Sequence, residues 1–137
     1  MNLAFFLTPK SQVSFIYDDN SYRQGLEKLR RSGYRDIPVL GRDGSYRGTV
    51  SEGDFLWSLV DVGGATLHEC ESMKVSGIIR ADRTPAVRIT ADVFELYDYL
   101  LDHNFAPVVD DRGCFMGIVT RRTILTYQHP TEIDDLK

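Results

Sequence analysis

Arg112-Gly-Cys-Phe-Met-Gly-Ile-Val-Thr-Arg-Arg-Thr-Ile-Leu125 is the stretch on which the fold turns. It reads as turn, strand and helix start. Gly113 stands where a hairpin turn needs a positive φ. Cys114 to Val119 is an apolar run of strand length. Thr120 caps the helix that follows, and two arginines fall in its first turn. A helix start is partially positive and carries free N–H groups, so acidic residues are expected there. Arg121 and Arg122 have the wrong sign for that helix, and a helix start with added cations is suited to an anion such as phosphate.

The stretch has a copy. Asp43-Gly-Ser-Tyr-Arg-Gly-Thr-Val-Ser-Glu-Gly-Asp-Phe-Leu56 matches it at a constant offset of 69 residues, pairing Gly44 with Gly113, Gly48 with Gly117, Ser51 with Thr120 and Leu56 with Leu125. Pro38 and Pro107, and Val39 and Val108, share the offset. The chain is two copies of one unit. At 137 residues it falls within the range of one compact domain, so the copies are expected to be halves that share a core. Each half alone is marginal.

Outward from the repeat, the elements follow in order. Leu3–Leu7 is a short helical turn before Pro9. Val13–Tyr17 is a strand, and Asp18–Ser21 a turn and cap. A helix carrying Tyr22, Leu26 and Leu29 ends at Gly33. Ile37–Leu40 is a strand whose Pro38 belongs at its start or at an edge. Tyr46–Val50 is the third strand. A helix from Ser51 to about Val62 has Phe55, Leu56 and Leu59 as core candidates. Gly63-Gly64 is the linker, and Thr66–Met73 a short joining helix. Val75–Ile79 then echoes the N-terminal turn, Ala86–Thr90 is a strand, and Asp92 caps a helix carrying Val93, Leu96, Tyr97, Leu100 and Leu101. Ala106–Val109 leads back into the opening stretch, and after Tyr127 the tail is polar. The expected bounds are 1–64 for the first repeat with its N-terminal turn, 65–128 for the linker helix and second repeat, and 129–137 for the tail. The class is α/β (α+β), each half running β-α-β-β-α.

Composition narrows the function. Apolar residues make up 42% and charged residues 26%, an ordinary globular balance, and the net charge of -4 opposes a general nucleic-acid binder. Cys70 and Cys114 form no disulfide framework and read as free thiols, Cys114 as a small core residue. The apolar N-terminal run is too short for a membrane span or a signal peptide, which places the chain in the cytoplasm with no membrane partner. His68, His103 and His129 are scattered, so no metal is expected. No phosphate loop and no catalytic triad can be assembled, so an enzyme is not expected.

Two motifs carry a family resemblance. Ile37-Pro-Val-Leu followed by Asp43-Gly-x-x-x-Gly-Thr-Val-Ser-x-x-Asp54 resembles the cystathionine-β-synthase (CBS) domain pattern. So does Ala106-Pro-Val-Val-Asp-Asp-x-Gly-x-Phe-x-Gly-Ile-Val-Thr-Arg-Arg122. Two such units in tandem resemble a Bateman module, with the repeats packed through their sheets about a pseudo-twofold axis. The resemblance covers roughly residues 3–128. It implies a regulatory module, without catalysis or a cofactor of its own, that binds an adenosine-containing ligand in the cleft between repeats. AMP, ADP, ATP or S-adenosylmethionine are the first expectation. The ending Phe-x-Gly-Ile-Val-Thr-Arg-Arg also resembles small CBS-pair proteins of Gram-positive bacteria that bind cyclic di-AMP, the alternative ligand. A structural or oligomerisation module without ligand is a further alternative. The family's disc-like homodimers imply a second copy as partner, and the lack of an effector domain implies a separate effector protein.

The resemblance also implies the site. Ile37, Gly48, Val50 and Ser51 line it, and Asp54 accepts from the ribose diol. Arg35 and Arg122 meet phosphate, Arg122 being offered to a ligand seated on Asp54. Thr120 and Arg121 belong to the second repeat's copy, where Thr123 replaces the carboxylate. A plainer reading stands beside this one: Ser51-x-x-Asp54 is also a capping box, and both roles can coexist on one carboxylate.

Overall fold

A computed structural model describes residues 2–61, 63 and 69–127. Backbone contacts divide the chain into two compact units, residues 14–85 and residues 1–13 with 86–137. The units are not consecutive halves, because the N-terminal segment belongs with the second repeat.

The unit formed by residues 14–85 holds a three-stranded sheet. Strands β2 (Ile16–Tyr17), β3 (Asp36–Leu40) and β4 (Tyr46–Ser51) lie in the order β2-β3-β4, with β2 parallel and β4 antiparallel to the central β3. Helix α1 (Tyr22–Ser32) joins β2 to β3 and helix α2 (Glu52–Asp61) follows β4. Both ends of α1 are as expected: Ser21 and Gln24 form a capping box, and Gly33 turns out at φ 73°. Ile16, Tyr22, Leu29, Ile37, Val39, Val50, Phe55, Cys70 and Val75 make one core. Two short 3-10 turns, Glu69–Ser72 and Val75–Gly77, bring the chain back, and Thr49 pairs with Arg80 alongside β4.

The other unit repeats this plan. Its sheet runs β1-β7-β6-β5, from β1 (Thr8–Pro9), β7 (Phe115–Thr120), β6 (Phe105–Val109) and β5 (Val87–Arg88). Helix α3 (Val93–Asp102) precedes β6, and the chain is helical again over 121–127 (α4). Leu3 and Phe6, on a 3-10 turn, are buried with Leu96, Leu100, Ala106, Val108, Val119 and Ile124. Pro9 pairs with Gly117. Gly117 has φ 152°, and a Cβ there would overlap the Thr8 carbonyl oxygen, so only glycine lets β1 close on β7. Gly44 and Gly113 hold the hairpin turns at φ 89° and 81°.

Several expectations need correction. The strands expected over 13–17 and 86–90 have two ladder residues each, because their parallel partners offer only Val39–Leu40 and Val108–Val109. Pro38 and Pro107 lie in central strands, not at an edge. Each stands one residue before the parallel ladder begins, so the missing N–H forfeits no bond on that side. Leu56, expected in the core, is 55% exposed, so the inward face of α2 is the narrower Phe55–Leu59 stripe; on α3 the buried residues are Leu96 and Leu100. Cys70 is the buried thiol, and Cys114 is half-buried. The joining helix expected over 66–73 is a 3-10 turn from Glu69. Residues 66–68, Gly64, Val62 and the polar tail lie outside the described residues.

Candidate functional site

In the unit of residues 14–85, strand β4 runs directly into α2, and Ser51 is both the last strand residue and the helix cap. The Ser51 N–H donates to Asp54 Oδ2 at 2.8 Å, and the Asp54 N–H donates to Ser51 Oγ at 3.2 Å. The capping box is therefore formed, and it fixes the carboxylate at the helix start. The Glu52 N–H donates to the Arg35 carbonyl at 2.9 Å, which ties the loop before β3 to the same point. Arg35 itself is exposed. Ile37 and Val50 are register partners across β3 and β4, both buried in the core. Gly48, buried on β4, has φ 144°, and a Cβ there would meet Ile79 and the Ala81 backbone below 3.0 Å.

Sequence reasoning missed the cation on Asp54. Arg83 Nη2 lies 2.7 Å from Asp54 Oδ2, and Nη1 donates to Oδ1 at 3.1 Å, a two-pronged guanidinium–carboxylate pair. Arg80 Nε is a further 3.7 Å from Oδ1. Arg83 Nη2 also donates to Thr49 Oγ1 at 3.3 Å, and the Thr49 and Thr84 hydroxyls are 3.2 Å apart. Thr49 and Thr84 are buried polar residues in this network. The Tyr46 hydroxyl donates to the Thr84 carbonyl at 2.6 Å. Burial pushes the Asp54 carboxyl up, but hydrogen bonds from Arg83 and the Ser51 N–H, with the Arg83 charge, outweigh it and hold it below its ordinary value. The same hydrogen bond to Asp54 raises Arg83. Twenty-nine residues separate the partners, so local spacing carries no signal of the pair. The only hint is the arginine pair itself, Arg80 and Arg83, just before Thr84-Pro85.

The copy of this site in the other unit is differently equipped. The Thr123 N–H donates to Thr120 Oγ1 at 3.0 Å, so Thr120 caps α4 as Ser51 caps α2. The Arg121 N–H donates to the Asn104 carbonyl at 2.9 Å, matching Glu52 and Arg35. Thr123 replaces Asp54, and Ile118 replaces Thr49, so this copy lacks the carboxylate and the strand hydroxyl of the charged network. Arg121 turns away from its own helix start. Its Nε donates to the Leu100 carbonyl at 2.8 Å, and its Nη2 to the Leu101 and His103 carbonyls at 3.3 and 3.1 Å. A cation on the last carbonyls of α3 has the favourable sign, which accounts for an arginine at a helix start. Arg122 is exposed and makes no ion pair with a described residue.

The structure thus brings Arg35, Ile37, Gly48, Val50, Ser51 and Asp54 together in one unit, and places Thr120, Arg121 and Arg122 in the other. Among the described residues no group of three His, Cys, Asp or Glu side chains is arranged to hold a metal ion. No helix among them is long and apolar enough to cross a membrane.

Comparison with known proteins adds to this geometry. A family model described as the CBS domain matches residues 7–61 and 74–130. Cyclic di-AMP receptor B of Bacillus subtilis (strain 168) is 25% identical over 122 residues, 88% of this chain and 81% of the receptor. A Listeria monocytogenes CbpB protein solved in complex with cyclic di-AMP is 26% identical, with a TM-score of 0.85 over 98% of each chain. Another CbpB structure with cyclic di-AMP superposes with a TM-score of 0.91 over 99% of this chain and 89% of the other; at 23% identity it speaks for the fold alone.

Proposed function

Because this chain belongs to the CBS-domain family, we propose that it is a regulatory module that binds an adenosine-containing ligand at the Ser51–Asp54 helix start, and that it is not an enzyme. The observation that carries this reading is the similarity, along most of the chain, to proteins whose names state cyclic di-AMP binding. Cyclic di-AMP is accordingly the first ligand to test. AMP, ATP or S-adenosylmethionine is the second reading. It is favoured by the single carboxylate: Asp54 is present in one repeat and Thr123 stands in the other. One carboxylate serves one ribose diol, accepting from both hydroxyls.

In this reading Ser51 and Asp54 have two tasks at once. They close the helix cap, and the same carboxylate meets the ribose. Arg35 and Arg122, exposed and without short ion pairs among the described residues, are the proposed phosphate donors. Arg121 is the weakest member of the site, because its guanidinium already serves three carbonyls. Output passes through a partner protein or a homodimer, and only to the extent that the ligand binds one state better than another.

Calorimetry of the full chain with cyclic di-AMP, AMP, ATP and S-adenosylmethionine tests the proposal. Asp54→Asn keeps an oxygen for the Ser51 N–H but loses the second anionic acceptor. It is expected to weaken the bound ligand by about 1.5–3 kcal/mol, the worth of a charged hydrogen bond. Absence of heat and of any thermal shift with all four ligands would defeat the sensor reading and leave a structural module.

A further inference from the structure

The Asp54 carboxylate is not idle. Both of its oxygens receive Arg83, at 2.7 and 3.1 Å, and its side chain is only 10% exposed while that of Arg83 is 36% exposed. The guanidinium is therefore the more solvent-exposed partner of the pair. The backbone on either side of it is anchored. The Arg80 N–H donates to the Thr49 carbonyl at 3.1 Å, and the Thr84 carbonyl accepts from the Tyr46 hydroxyl at 2.6 Å. A long side chain on a fixed stem can rotate away from Asp54 without the stem leaving.

We propose that Arg83 is a latch and a specificity determinant: a ligand diol gains Asp54 only by displacing the Arg83 guanidinium, which then turns to an anionic group of the same ligand. The inference rests on the reading that Asp54 takes the ribose. Its chemistry follows from what the exchange breaks. Turning Arg83 off Asp54 breaks two charge-assisted hydrogen bonds to the carboxylate and the longer one to Thr49 Oγ1. A neutral diol restores hydrogen bonds to the carboxylate but gives the guanidinium nothing in exchange for the Asp54 carboxylate it has left. A ligand that joins a diol to a phosphate restores both. The pair therefore discriminates against nucleosides and in favour of nucleotides before any other phosphate contact is counted. Asp36, which also acts on Arg83, and Arg80, 3.7 Å from Asp54, are the other charges at the latch. Asp36 repels an arriving phosphate and Arg80 attracts it.

The test is titration calorimetry of the full chain with adenosine, AMP and cyclic di-AMP, for wild type, Arg83→Gln and Arg83→Lys. Arg83→Gln removes the competitor and the proposed phosphate contact together. It is expected to bind adenosine more tightly and AMP less tightly, so that the AMP-to-adenosine preference falls by roughly tenfold or more, as loss of a charged hydrogen bond requires. Arg83→Lys keeps a charge without the fork and is expected to retain an intermediate preference. An unchanged preference in Arg83→Gln, or weaker adenosine binding, would overturn the latch while leaving the sensor reading intact. Cyclic di-AMP carries no 2′,3′-diol, so wild type that binds it but neither adenosine nor AMP would overturn the latch alone, and wild type that binds none of the three would overturn both.

Discussion

At the scale of single residues, the deciding group is Asp54. A helix cap needs one of its oxygens, and Arg83 takes both. Its carboxyl is held below the ordinary value of 3.8, so the ionised form contributes stability above that value. That contribution fades as the pH falls through the lowered folded value, where the paired carboxylate finally takes a proton. Comparing urea denaturation of wild type and Arg83→Gln across pH checks this. The wild type is expected to be the more stable from neutral pH down to about pH 4, with the difference shrinking below that. A difference that stays constant down to about pH 2.5 contradicts the pairing as its source.

At the scale of elements, two adjacent arginines have separate fates. Arg121 closes the C-terminal end of α3, and Arg122 points to solvent. Arg121→Ala leaves three carbonyls without that donor and is expected to cost about 1–2 kcal/mol of stability. Arg122→Ala is expected to stay within about 0.5 kcal/mol. Urea midpoints at constant slope separate the two. Equal effects would mean that the α3 contact is not what holds Arg121. The pattern Thr-Arg-Arg cannot distinguish these roles, because the carbonyls that receive Arg121 belong to a different helix. The hairpin and helix caps are different. Gly113, Gly44, Ser21 and Gly33 each act within a few residues of themselves, and each is where spacing and turn chemistry put it.

At the scale of the whole molecule, the N-terminal segment is the informative piece. Leu3 and Phe6 are buried among residues of the second repeat, and β1 closes on β7. Phe6→Ala is expected to cost about 3–5 kcal/mol, the usual range for emptying a buried aromatic site. Amide exchange checks where the cost falls. Protection should drop in α3, β6 and β7, which are distant in sequence, and persist in β2 and β3, which are near. Faster exchange in β2 and β3 instead would contradict the division of the chain.

The repeat, its strand–helix order, the hairpin turns and the cap at Ser51 were all settled by the sequence alone. Each depends on neighbours a few residues away or on a 69-residue copy that can be read directly. What covers the Asp54 carboxylate, which strands end up central, and which repeat the first thirteen residues complete were decided only by tertiary structure. Those outcomes depend on residues brought together from far along the chain. A guanidinium finds a carboxylate 29 residues away because backbone pairing at Thr49 and Arg80 places it there, and no local pattern encodes that meeting.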